Sequence, residues 1–116
     1  MKAIMINSKE ETVHVIELSS NQDTRRAEIY DRLECRTYEI AKYFDNGDVL
    51  LVDEEGLLTM TSGTKAFQIR DLDILVGNGL IIGPEIEFDD GSWTLANVKT
   101  SLDSMIVNFL QCRLNS

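Results

Sequence analysis

Two Asn-Gly steps constrain this chain more than any other feature. Asn46-Gly47 leads into the apolar run Val49-Leu50-Leu51-Val52, and Asn78-Gly79 leads into Leu80-Ile81-Ile82. Asn-Gly accepts the positive φ that a tight hairpin turn demands. An apolar run without alternation is what a strand shows when both of its faces are covered. Together they predict two hairpins in the middle of a sheet, Thr37–Phe44 with Val49–Val52 and Ile74–Val76 with Leu80–Ile82. Gly83-Pro84 then stops the second return strand, because proline cannot donate to a ladder.

The flanking segments extend that sheet. Lys2–Ile6 and Thr12–Leu18 read as strands joined by the polar link Asn7–Glu10. Leu57–Met60 reads as a short strand after the turn Asp53-Glu54-Glu55-Gly56, and Ala66–Ile69 as another. Residues 24–35 suit a short helix capped by Asp23 or Thr24, with Ile29, Tyr30, Leu33 and the stem of Arg26 as its apolar stripe. Leu95, Val98, Leu102, Met105, Phe109 and Cys112 recur at three- and four-residue steps. That spacing predicts a long C-terminal helix from about Leu95 to Arg113, capped by Thr94, with Trp93 as a hydrophobic staple. Val107 lies off the stripe and hints at packing on a second copy of the chain. The fold expected is therefore α+β in one domain spanning 1–116. It has a mostly antiparallel twisted sheet of five to seven strands, with the long helix on one face and the short one near 24–35.

Charge is placed unevenly. Residues 45–92 hold eleven acids against two bases, Lys65 and Arg70, and account for the whole net charge of −9. Such a surface repels a phosphate backbone and argues against direct nucleic-acid binding. Arg25, Arg26, Arg32 and Arg36 could form a basic patch, but Glu28, Asp31 and Glu34 alternate with them, as on a solvated helix face. No apolar run approaches the roughly 18 residues of a membrane span, and the N-terminal apolar stretch is too short for a signal peptide. The expected location is the cytoplasm. Cys35 and Cys112 are isolated, and with His14 they make three Cys or His residues in all. That number excludes a self-contained zinc site of the four-ligand Cys/His kind and suits half-buried thiols better than a disulfide.

Catalytic motifs are weak. Asp53 and Glu55 could converge on one side of a strand, and Asp89 and Asp90 could add a second carboxylate cluster, but no calcium-loop pattern surrounds them. Gly77-Asn78-Gly79 is followed by a strand and a proline where a phosphate-binding loop needs a helix. No nucleophile elbow is present, and His14 has no partner that would make it a base. No cofactor, metal or catalytic residue is assigned. Asp53, Glu54, Glu55, Asp89 and Asp90 form an acidic rim that suits a partner-binding face.

Several of these pieces carry a resemblance. Ala3-Ile4-Met5-Ile6, Glu34-Cys35-Arg36-Thr37, the turn Val52-Asp53-Glu54-Glu55-Gly56-Leu57-Leu58 and the segment Gly77–Gly83 are similar to those of a family of small uncharacterised domains. That family is carried by phages, prophages and other mobile elements. The likeness spans about Tyr30 to Val98 and brings no established activity with it. It implies a phage or mobile-element origin, hence the cytoplasm of a host cell, and a setting in which small acidic proteins block host defences.

The leading expectation is a non-enzymatic accessory protein that binds a host protein or small ligand as a homo-oligomer. A first alternative is an anti-defence sponge for a signalling nucleotide, which would use Arg25, Arg26, Arg36 and Lys65. A second is a metal-dependent enzyme using Asp53, Glu55, Asp89 and Asp90.

Overall fold

The computed structural model describes residues 1–114. In chain order the elements are β1 (Lys2–Asn7), β2 (Thr12–Glu17), α1 (Gln22–Leu33), β3 (Tyr38–Tyr43), β4 (Val49–Asp53) and α2 (Gly56–Thr59). Then follow β5 (Lys65–Ile69), β6 (Leu75–Val76), β7 (Gly79–Ile82), β8 (Glu85–Glu87), β9 (Trp93–Leu95) and β10 (Val107–Gln111). The main sheet runs β2-β1-β7-β4-β3, with every neighbouring pair antiparallel. A three-stranded sheet, β10-β5-β6, and the β8–β9 hairpin complete it.

Both faces of the main sheet are covered, and this is why its central strands read as unbroken apolar runs. Ala3, Met5, Leu51 and Leu80 point to the side where Ile29 and Leu33 of α1 pack. Ile4, Ile6, Leu50, Val52 and Ile81 point to the other, against Phe67 and Ile69 of β5. Alternate residues of β1, β4 and β7 thus feed two separate cores, as the two-residue strand period requires.

The long C-terminal helix does not form, and the architecture is mostly antiparallel β with short helices of 12 and four residues instead of α+β. Residues 96–106 run as an irregular strap, with one 3-10 turn at Leu102–Ser104, before β10 pairs with β5. The backbone donors of that strap are taken elsewhere. Val98 N–H bonds to the Lys2 carbonyl at 3.0 Å, while the Lys99 and Thr100 amides bond to the Asp48 carboxylate. Asn97, Thr100, Ser101 and Ser104 compete for backbone groups locally, which weakens a helix. The three-four spacing survives as contacts: Val98, Leu102, Met105 and Phe109 still pack on the second core, and so does Val107. Trp93 is a strand residue, and no staple exists.

Three local expectations also change. The first Asn-Gly does close the β3–β4 hairpin, but through a three-residue loop in which only Gly47 has positive φ, at +96°. Phe44 N–H bonds to the Asp48 carbonyl and Gly47 N–H to the Phe44 carbonyl, a turn ending in a left-handed glycine. The second Asn-Gly makes no hairpin, because β6 and β7 belong to different sheets. Asn78 is buried there and ties three segments, accepting from Ser8 N–H and donating to the Arg32 carbonyl and Glu34. Residues 57–59 turn as the short helix α2 instead of a strand. The early helix is present, but it starts at Gln22 under an Asn21 cap whose Oδ1 accepts from Thr24 N–H.

Candidate functional site

Helix α1 buries a stripe at four-residue spacing: Arg25, Ile29 and Leu33. Ile29 and Leu33 are ordinary core positions, and Arg25 occupies the third. It is only 4% exposed. Its Nη1 donates to the carbonyls of Ser19 and Ser20, both at 3.2 Å, and its guanidinium lies 5.6 Å from the ring centroid of Trp93. The ion pairs found among the described residues join the N-terminal amine to Glu17 and Arg36 to Glu55. No carboxylate within those residues pairs with Arg25.

A buried charge without a counter-charge is costly, so the groups around it bear on function. Among the described residues, every sealed polar side-chain atom in a non-exposed residue has a hydrogen-bond partner. Nε and Nη2 of Arg25 have no acceptor among the described residues and are not fully sealed, and Arg25 lines a groove.

The groove has a volume of about 470 Å³. Its floor is the outer end of the main sheet, where Tyr38, Ile40 and Tyr43 of β3 lie beside Val49 and Leu51 of β4 and Ile82 of β7. Helix α1 forms one wall with Gln22, Arg25 and Arg26; Glu85, Trp93 and Leu95 of the β8–β9 hairpin form the other. A bulge in β3 sets the character of the floor. Ile40 pairs with Leu51 and Lys42 with Leu50, leaving one extra residue between them. The shift of one residue swaps faces. Tyr43 therefore joins Tyr38 and Ile40 on the groove face, while Lys42 and Phe44 turn to a second groove of about 310 Å³ on the opposite side.

The hairpin wall is fixed at its base. Gly83 is buried with its α-carbon against the backbone carbonyls of Ala96 and Asn97, where any side chain would collide. Ala96 N–H bonds to the Pro84 carbonyl at 2.8 Å. Trp93, 40% exposed, leans from this hairpin toward Arg25.

The expected basic residues divide. Arg25 and Arg26 meet at the groove, but Arg36 pairs with Glu55 at 2.7 Å and Lys65 sits on β5 in the other sheet. Arg25 is no solvated residue, and it takes the place in the buried stripe that was expected of the Arg26 stem. The acidic rim divides too. Asp53 ends β4 next to Val52, which pairs with Gly79, whereas the hairpin bearing Asp89 and Asp90 departs beyond Ile82, at the opposite end of β7. Asp53 accepts from Glu55 N–H, and Asp90 accepts from both Ser92 N–H and its hydroxyl. Those Ser92 hydrogen bonds hold the Asp90 carboxyl below its usual range. Among the described residues no three His, Cys, Asp or Glu side chains are grouped to hold a metal ion.

Tyr38, Tyr43 and Trp93 were not singled out as ligand-facing in the sequence. The available signal was an arginine four residues before Ile29 in the stripe. Cys35 and Cys112 are half-buried free thiols, and no helix of the described residues is long and apolar enough to cross a membrane.

No curated protein and no solved structure matches the chain. The family model for a domain of unknown function, DUF3846, matches residues 1–103. This chain therefore belongs to the DUF3846 family.

Proposed function

We propose that this protein is a non-enzymatic accessory protein of phages or mobile elements, and that it holds a small anionic ligand in the groove between α1, β3 and the β8–β9 hairpin. The observation that carries the reading is Arg25: buried, lining the groove, and without a carboxylate partner or an acceptor for Nε and Nη2 among the described residues. A ligand anion would supply the missing counter-charge. Charge-assisted bonds from a fixed guanidinium are among the stronger polar contacts, and Arg25 is already held by two carbonyls and an indole.

Between a host protein and a small ligand, the concave shape favours the ligand, since about 470 Å³ lies within the usual range of small-molecule pockets. Support for a binding role over a catalytic one comes from the lining. It includes no Ser, Cys, His or Lys, and its one carboxylate is Glu85. The mobile-element setting rests on the sequence resemblance alone.

Thermal unfolding with and without phenyl phosphate tests this. A ligand that binds only the folded state stabilises it by about 2.7 kcal/mol at a hundredfold excess over Kd. The expected result is a saturable rise in Tm for the wild type and a smaller rise for Arg26→Gln, whose side chain is exposed. No rise, or an equal rise in both proteins, would overturn the proposal.

A further inference from the structure

The groove combines two kinds of recognition, and their combination narrows the ligand. Arg25 and Arg26 offer guanidinium forks that match phosphate oxygens. Tyr38, Tyr43 and Trp93 offer aromatic faces, with Tyr43 70% and Trp93 40% exposed. A flat ring stacked on such faces gains affinity without needing hydrogen bonds. Inorganic phosphate alone would leave most of a 470 Å³ groove unfilled.

The remaining polar groups suit the edge of a nucleobase. Gln22 presents an amide, able to donate and accept at once, and Glu85 a carboxylate that accepts from an exocyclic amine. The charge count limits the phosphates. Two guanidiniums and one carboxylate line the groove, a balance that suits one phosphate better than three.

From these features, and resting on the reading of the groove as an anion site, we infer that the ligand is a nucleotide with a single phosphate and an amine-bearing base. Its phosphate sits on Arg25 and Arg26, its base lies against Tyr43 and Trp93, and the base amine donates to Glu85.

Calorimetric titration of the full chain with inorganic phosphate, adenosine and AMP tests the inference. AMP is expected to bind at least tenfold more tightly than either phosphate or adenosine. Tyr43→Ala, at an exposed position, should weaken AMP about tenfold by loss of stacking and leave phosphate binding unchanged. Trp93→Ala should weaken AMP by more than it weakens phosphate, since its indole also flanks Arg25. Arg26→Gln should weaken both AMP and phosphate. Equal affinity for phosphate and AMP, or AMP binding untouched by both aromatic substitutions, would overturn the nucleotide inference and leave the anion site standing. If neither phosphate nor AMP binds, the inference falls together with the anion site.

Discussion

The Asp48 carboxylate is bound twice by Thr100: one oxygen accepts the Thr100 amide at 2.7 Å and its hydroxyl at 2.6 Å. The Lys99 amide adds contacts of 3.1 Å to both oxygens. Asp48 is wholly buried at the end of the β3–β4 hairpin and fastens the strap between β9 and β10 to the main sheet. Removing a buried acceptor leaves its donors unsatisfied at about 1–3 kcal/mol each. Asp48→Ala should therefore lower the unfolding free energy by about 3 kcal/mol in urea titration. A loss under about 1 kcal/mol would mean that water replaces the carboxylate at little cost.

Gly79 is required by packing. A Cβ built on it would lie 2.5 Å from Cζ of Phe67 and 3.2 Å from Cδ1 of Leu50, both at the centre of the second core. Gly79→Ala should cost about 1–3 kcal/mol through overpacking. A double-mutant cycle with Phe67→Leu should show the two changes coupled, since the smaller side chain makes room. Additive costs would contradict the contact.

Cys35 has a raised pKa, first because of burial and then because of the nearby carboxylates of Asp53 and Glu55. Its alkylation by iodoacetamide near pH 8 should be slower than that of a free cysteine, because less thiolate is present. The folded-state value lies above the unfolded one. The thiol's contribution to stability is therefore full below the unfolded pKa and is lost as pH rises through the folded pKa. Glu55→Gln should move the alkylation profile toward lower pH; an unmoved profile would remove the carboxylate from the explanation.

Arg25→Met separates function from stability. An unpaired buried charge contributes little net stabilisation, so an apolar side chain of similar length should change the unfolding free energy by no more than about 1 kcal/mol. The same change should abolish phenyl phosphate binding. A large loss of stability with binding retained would make Arg25 a purely structural residue.

Much of the main sheet was legible in the residues. Val49–Val52 announced a strand covered on both faces, and Asn46-Gly47 announced the hairpin. The C-terminal helix was misread because its apolar spacing records contact with the second core, which a bent strap satisfies as well as a helix does. The deciding factor, Asp48 taking the amides of Lys99 and Thr100, joins residues about fifty positions apart and leaves no local mark. Asn78 misled for a similar reason: its side chain bonds to distant Ser8 and to the end of α1, where a hairpin was expected. At the groove, Arg25 and Arg26 were readable as candidates. Tyr43 was not, because its orientation depends on the bulge between Ile40 and Lys42. Trp93 was read as the staple ahead of a helix that does not form.

The most direct test of the groove is an NMR titration of the labelled protein with phenyl phosphate, following backbone amides, the Arg25 Nε–H and the Trp93 indole N–H. Saturable shifts are expected to concentrate on Gln22–Ile29, Tyr38–Tyr43 and Trp93, with the Arg25 side chain among the largest. Saturable shifts centred on Arg36, Lys65 or the acidic turns, or none at all, would contradict the account.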